Sequence, residues 1–187
     1  MHVVVLGGGS TGEHFVGALR RLDADVELTL VERNLVGGEC SYWACMPTKT
    51  MLRAPELLAA IGHTPGLSGG KLDPAGVFAW RDIVAERDDA SQVDWLDGQR
   101  CKLVRGEAIV TEPGVVRVDG HEIPYDRLVI ATGSSPVIPP IPGLDSIDYW
   151  TNVEATETTE VPPSLLVLGG GPVGCELAQF FARIGSK

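Results

Sequence analysis

The sequence predicts an α/β protein: a parallel sheet flanked by helices and carrying a small antiparallel meander, followed by the start of a second fold of the same kind. Three observations lead there. The apolar run at residues 2–6 flows into Gly7-Gly8-Gly9-Ser10-Thr11-Gly12, after which Phe15, Ala18, Leu19 and Leu22 recur at helical spacing, reading as strand, tight turn and helix. The run Leu128-Val129-Ile130-Ala131 is apolar at every position, as suits a strand buried on both faces of a parallel sheet. Finally, Leu166-Val167-Leu168-Gly169-Gly170-Gly171 repeats Val4-Val5-Leu6-Gly7-Gly8-Gly9, with Gly174 in the place of Gly12, and Leu177, Phe180, Phe181 and Ile184 continue a helix.

The first repeat carries a ligand signature. Gly7, Gly9 and Gly12 have the spacing Gly-x-Gly-x-x-Gly, in which the glycines allow a tight turn, close approach of a pyrophosphate and close helix packing. The apolar run 26–31 ends at Glu32, twenty positions past Gly12. A carboxylate there accepts hydrogen bonds from a ribose diol and repels a 2′-phosphate. Both repeats are therefore read as Rossmann-like, the first binding FAD or NAD rather than NADP. Two such folds imply two dinucleotides, most simply a flavin and a nicotinamide. One strand and one helix cannot make a parallel sheet, so the second fold is expected to be truncated at Lys187. The predicted layout is a dinucleotide-binding domain over 1–150, a polar linker over 151–163, and the start of a second dinucleotide-binding domain over 164–187.

Composition narrows the class. The 187 residues carry a formal net charge of −10 and no basic stripe, which argues against a nucleic-acid surface. No apolar run approaches the roughly 20 residues needed to span a bilayer, and Met1 leads directly into a strand-like run without a basic n-region. A reducing cytoplasm is the expected location, and a close cysteine pair there points to redox or metal chemistry rather than a staple.

Between the repeats, 48–61 reads as a helix kinked at Pro55 and ended by Gly62, 63–75 as a loop, and 77–96 as one charged amphipathic helix whose Trp80 and Trp95 anchor packing. The runs 102–105, 108–110 and 115–118, divided by Pro113-Gly114 and Asp119-Gly120, predict the antiparallel meander. Strand 128–131 should end in a ligand-facing loop, Thr132-Gly133-Ser134-Ser135.

The stretch 37–49 reads Gly-Gly-Glu-Cys-Ser-Tyr-Trp-Ala-Cys-Met-Pro-Thr-Lys. In a regular helix, residues five apart have Cα atoms roughly 8.7 Å apart, beyond the ~6.8 Å a disulfide tolerates. If Cys40 and Cys45 bond to each other, the backbone must leave the helix, which Gly37, Gly38 and Pro47 permit. Zinc is disfavoured because a structural site needs four ligands, and Cys101 and Cys175 are isolated; both are read as buried small apolar residues. None of His2, His14, His63 and His121 has the setting of a catalytic base.

In this order and spacing the motifs Gly7-x-Gly9-x-x-Gly12 with Glu32, Gly37-Gly38-x-Cys40-x4-Cys45-x-Pro47-x-Lys49, Ala131-Thr132-Gly133 and Gly169-x-Gly171-x-x-Gly174 closely resemble the class I pyridine nucleotide-disulfide oxidoreductases, the family of dihydrolipoamide dehydrogenase, glutathione reductase and mercuric reductase. The resemblance implies an FAD-dependent, NAD(P)H-linked enzyme. Cys45 would be the thiolate facing the flavin and Cys40 the interchange thiol that attacks substrate. Lys49 would lie near the flavin N5 edge and pair with Glu176. Gly7, Gly9, Ser10, Thr11, Gly12, Glu32, Gly38, Lys49, Ala131, Thr132 and Gly133 would hold FAD, and Gly169, Gly171 and Gly174 would hold NAD or NADP. No metal site is implied. The expected partners are a small-molecule or protein disulfide and a second subunit, because the family's catalytic histidine comes from a C-terminal dimerisation domain of the other chain.

One departure stands out. Between the cysteines, where the family carries small polar residues ending in glycine, this chain has Ser41-Tyr42-Trp43-Ala44. The bulky aromatics leave the acceptor open. A flavoprotein reducing a quinone or metal ion, and an FAD-binding sensor switched by a Cys40–Cys45 bond, are the alternatives.

Overall fold

The computed structural model describes residues 1–187. In chain order the elements are β1 (His2–Leu6), α1 (Ser10–Leu22), β2 (Glu27–Glu32), α2 (Gly38–Tyr42), α3 (Cys45–His63), α4 (Pro74–Val84), α5 (Ala90–Gly98), β3 (Cys101–Arg105), β4 (Ala108–Glu112), β5 (Val115–Val118), β6 (His121–Pro124), β7 (Arg127–Ile130), a 3-10 turn at Leu144–Ser146, α6 (Asn152–Glu157) and α7 (Pro172–Ile184). They form two compact bodies: Met1–Cys40 with Arg87–Ser135, and Ser41–Glu86 with Pro136–Lys187.

The first body is the predicted Rossmann-like α/β fold. Its parallel sheet has the order β3-β2-β1-β7, with Val4 opposite Thr29 and Leu128. Alternation along the strands serves two faces. Val3, Val5, Leu28 and Leu30 pack with Val16 of α1 and Leu96 of α5, while Val4, Leu6 and Val31 pack with Val116 and Val118 of β5. Each fully buried valine or leucine here is worth about 1.5–3 kcal/mol of transfer free energy. Burial on both faces is why β1 and β2 read as continuous apolar runs.

The meander is β4-β5-β6, antiparallel, one strand later than the sequence suggested. The run at 101–105 instead pairs parallel with β2, Leu103 opposite Leu30. Asp119 and Gly120, at φ 48° and 84°, make the two-residue turn between β5 and β6, the doubly left-handed form that matches strand twist. The segment expected as one helix over 77–96 is two, α4 and α5. Asp88 Oδ1 takes the Ala90 N–H at 2.9 Å, a local side-chain bond that competes with helix continuation.

The second body packs α3, α4, α6 and α7 around Met51, Leu52, Val77, Phe78, Ala155, Leu177, Phe180, Phe181 and Ile184. Phe78 and Phe181 meet Phe180 edge-on, at centroid distances of 6.0 and 5.1 Å. Arg81, 1 % exposed, donates to Thr158 O and to Asp82 and stacks on Phe78, so its charge is buried with partners. Residues 151–163, read as linker, contain α6. Thr151 and Glu154 form a reciprocal capping box at its start, which stabilises so short a helix.

The strand expected at 166–168 is absent as a ladder. Leu165 N–H donates to Lys187 O at 2.9 Å and Lys187 N–H to Pro163 O at 3.2 Å, the first rung of a parallel pair. Leu166 and Leu168 beyond it are 88 % and 60 % exposed. The helix of this repeat, α7, does form, ending in a Gly185 left-handed cap with Ser186 N–H on Phe181 O.

Candidate dinucleotide cradle and dithiol segment

The glycines of the first repeat are fixed by contact. Gly7 has φ +100°, and a Cβ on it would stand 2.3 Å from Ala131 O; a Cβ on Gly12 would stand 2.0 Å from Gly7 O. Only hydrogen fits at either place. Gly9, in extended backbone, caps α1. The first-turn N–H groups of Ser10, Thr11 and Gly12 have no intrahelical acceptor, and Ser10 and Thr11 are exposed. A pyrophosphate therefore has both a positive helix end and open space above a turn without side chains.

Glu32, at the carboxyl end of β2, uses both carboxylate oxygens. Oε2 accepts the Gly8 N–H and Oε1 the Asn34 N–H, each at 2.7 Å. The carboxylate is thus oriented beside the glycine turn, where a ribose would follow the pyrophosphate. The next loop closes on the same turn. Gly37 N–H donates to Gly8 O at 2.7 Å, and a Cβ on Gly38 would lie 2.7 Å from Gly9 Cα. Ala131 N–H donates to Leu6 O at 2.8 Å, leading into Thr132 and the left-handed Gly133. Gly7, Gly9, Ser10, Thr11, Gly12, Glu32, Gly38, Ala131, Thr132 and Gly133 thus converge at the carboxyl end of one sheet, the ligand end of open α/β folds. A cleft of ≈ 510 Å³ lined by His2, Glu27, Lys102 and Asp126 lies at the amino end and includes none of them.

Sequence reasoning missed what steadies this loop. Asp89 Oδ2 accepts the Val36 N–H at 2.7 Å and pairs with Arg105, whose other nitrogen donates to Asn34 O. Burial opposes the Asp89 charge, but the Arg105 hydrogen bond, the Val36 N–H and the guanidinium charge together hold its carboxyl below the usual range. The residues are 71 and 53 positions from their backbone partners, so no local pattern announces them.

Between the cysteines the helix is interrupted. Gly37 and Gly38 take φ +113° and +65°, α2 carries Cys40 and ends at Tyr42, and α3 begins at Cys45. Cys40 is half-buried and Cys45 is exposed. Lys49 follows one turn after Cys45, on the same face of α3, and Lys49 Nζ donates to Glu176 Oε1 of α7. Cys101 is buried as expected. Cys175 is not: it is exposed in the first turn of α7, because that turn projects beyond the core, and its Sγ is 3.4 Å from Gly170 O.

The second glycine turn repeats the first in geometry. Gly169 has φ +109°, Gly171 caps α7 at φ −75°, ψ 176° against −76°, −177° for Gly9, and a Cβ on Gly174 would stand 2.4 Å from Gly169 O. No grouping of three or more His, Cys, Asp or Glu could hold a metal ion, and no helix is long and apolar enough to cross a membrane.

Comparison with known proteins matches all of residues 1–187 to the family described as pyridine nucleotide-disulphide oxidoreductase. The chain is 34% identical over 190 residues to a mercuric reductase of Lysinibacillus sphaericus, covering 99% of this chain and 34% of that protein. It is 36% identical over 184 residues to one from Staphylococcus aureus, covering 96% and 34%. It is 34% identical over 193 residues to a dihydrolipoyl dehydrogenase of Thermus scotoductus, covering 99% and 40%. Among solved structures, the HOCl-induced flavoprotein disulfide reductase RclA of Escherichia coli superposes with a TM-score of 0.83 at 26% identity, over 100% of this chain and 41% of that one. LpdA of Mycobacterium tuberculosis gives 0.79 at 25%, over 100% and 43%. The chain thus spans about a third of the length of the mercuric reductases it matches.

Proposed function

The chain belongs to the pyridine nucleotide-disulphide oxidoreductase family, whose members bind FAD and use NAD(P)H, and from that premise we propose that it is the FAD-binding, dithiol-bearing part of such an enzyme. The observation that carries the reading is the contact of Gly38 with Gly9. It sets the start of the cysteine-bearing helix α2 against the pyrophosphate turn, with Cys40 two residues further on.

Bound flavin supplies two-electron transfer between a nicotinamide and sulfur. The chain's residues do the rest. Ser10, Thr11 and Gly12 bind the pyrophosphate, Glu32 takes the ribose hydroxyls, and Thr132 and Gly133 contact the flavin from the end of β7. Cys45 is the thiol that faces the flavin, Cys40 the interchange thiol that attacks the acceptor, and Lys49, paired with Glu176, supplies positive charge near Cys45. Gly169, Gly171 and Gly174 open the nicotinamide site. A second dinucleotide unit opening at 164–187 is supported by the matching glycine turns and by the parallel rung at Leu165 and Lys187, whereas residues 151–163 carry α6, whose Ala155 packs with Met51, Phe78 and Phe180. The whole protein is read as a homodimer acting in the cytoplasm.

The acceptor is a disulfide. A second reading follows from the mercuric reductases among the relatives: a soft metal ion bound by the two thiols, since thiolates favour soft metals. Anaerobic reduction of the FAD-loaded protein tests the core of the proposal. A long-wavelength thiolate-to-flavin absorbance should appear, vanish in Cys45→Ser and persist in Cys40→Ser; its absence in the unmodified protein overturns the reading. NAD(P)H oxidation with a small disulfide against mercuric ion then separates the acceptors.

A further inference from the structure

Trp43 stands between the two cysteines, two residues before Cys45, and the mechanism above gives it no task. It is held from two sides within its own body. Its carbonyl oxygen accepts the Asn152 Nδ2–H at 2.9 Å, with the Thr156 hydroxyl 3.4 Å away. The Thr156 proton has a nearer acceptor in Asn152 O at 2.8 Å, so Asn152 is the main grip. On the other side, Trp43 Nε1–H donates to Glu157 Oε1 at 2.9 Å.

All three partners lie on α6, and α6 is itself anchored. Thr156 is 0 % exposed, Ala155 sits in the core beside Met51 and Phe180, and the Thr151–Glu154 box fixes the first turn. The Tyr42 ring, 2 % exposed, meets the indole edge-on at 5.6 Å. From the gripped Trp43 carbonyl to Cys45 the backbone has only a few soft dihedrals. Those of Ala44 are restrained in turn by the Thr48 N–H on Ala44 O at 3.0 Å, which opens α3. Motion of the Cys45 end of the segment therefore requires release from α6.

We propose that Trp43 is a positioning residue for Cys45: gripped by Asn152 at its carbonyl and by Glu157 at its indole, it holds the start of α3 so that the Cys45 thiol keeps one orientation. The inference rests on the assignment of Cys45 as the flavin-facing thiol. It gives the inter-cysteine aromatics a role in geometry, with α6 as the rigid support.

The test uses the FAD-loaded, full-length protein and reads charge-transfer absorbance per bound FAD, the alkylation rate of Cys45 by iodoacetamide, and the thermal midpoint. Asn152→Ala removes the carbonyl grip. Trp43→Phe removes the indole N–H and keeps a smaller aromatic ring beside Tyr42. Glu157→Gln keeps the Oε1 acceptor. The first two should lose charge-transfer amplitude by about five-fold, the factor one lost hydrogen bond is worth in a conformational equilibrium, with altered Cys45 alkylation, while Glu157→Gln retains both signals. If Asn152→Ala does not fold, Trp43→Phe against Glu157→Gln decides. A lowered thermal midpoint with full amplitude in Asn152→Ala and Trp43→Phe overturns the inference alone. Absence of the band in the unmodified protein overturns the proposed function, and the inference with it.

Discussion

Gly38 lies against Gly9 so closely that a Cβ on Gly38 would stand 2.7 Å from Gly9 Cα, and Gly38 is also left-handed at φ +65°. Two glycines far apart in sequence thereby couple the nucleotide turn to α2. Gly38→Ala must accept an unfavourable φ, worth about 1–2 kcal/mol, and push the turn away from the helix. FAD affinity should fall about ten-fold or more, measured by flavin fluorescence during titration. Unchanged affinity would show that the loop and the turn are independent.

Glu32 offers a second measurement on the same ligand. Both oxygens are already held by the Gly8 and Asn34 N–H groups, so the side chain organises the turn before any ribose arrives. Hydrogen bonds to charged groups are worth about 1.5–3 kcal/mol. Glu32→Ala should therefore weaken FAD binding more than Glu32→Gln, which keeps one acceptor. Equal losses would place the effect in charge alone.

The sheet, the glycine turns and the dithiol stretch were legible in the sequence because each is written locally, in apolar runs or in glycines that no other residue can replace. Gly7 and Gly12 are examples, since one backbone oxygen excludes a side chain at each. The errors arose where distant groups decide. Strand 101–105 is a parallel strand because Leu103 meets Leu30, a pairing invisible in a run that also suits a hairpin. Asp89 and Arg105 support the Glu32 loop from far along the chain. The capping box of α6 was there to be read as Thr-x-x-Glu, but the surrounding threonines suggested a linker. Asn152 and Glu157 became relevant only when α6 brought them to Trp43.

Asp89 makes an acid-stability prediction with a definite sign. Its folded-state carboxyl is held below the usual range, so between the folded and unfolded values the unfolded chain binds more protons. The contribution is complete above the unfolded value, about 3.9, and is lost as pH falls through the folded one. Asp89→Asn should cost about 1–3 kcal/mol at pH 7, with the difference shrinking below pH about 4. Glu154, lowered by the Thr151 hydroxyl and N–H, acts in the same sense, so denaturant unfolding is best compared in an Glu154→Gln background. A difference independent of pH would remove the charge from the account.

The cysteines should separate under alkylation. Burial pushes the Cys101 thiol up to about 11, against a smaller opposite pull from Arg20, so it is both inaccessible and protonated at neutral pH. Cys45 and Cys175 are exposed. Iodoacetamide on the native, reduced protein should label Cys45 and Cys175 and spare Cys101 until denaturant is added, read by peptide mass spectrometry. Early labelling of Cys101 would mean that the face of the sheet under α5 opens readily.

The Lys49–Glu176 pair joins α3 to α7, yet Lys49 is 62% exposed and Glu176 32%. An ion pair this open contributes about 0.2–1 kcal/mol to stability and is screened by salt. Lys49→Met, which keeps the aliphatic stem, should therefore leave the unfolding midpoint nearly unchanged, and the small remaining difference should fade at high ionic strength. Its place one turn from Cys45 gives it a different weight in chemistry, because a fixed ammonium favours negative charge developing on sulfur or flavin. Turnover of the full-length enzyme should drop by about ten-fold or more, equivalent to ~1.4 kcal/mol in the barrier, with stability intact. Glu176→Gln should fall between the two, since it keeps the hydrogen-bond acceptor but lets the lysine wander. Full turnover in Lys49→Met would reduce the pair to a surface contact between helices.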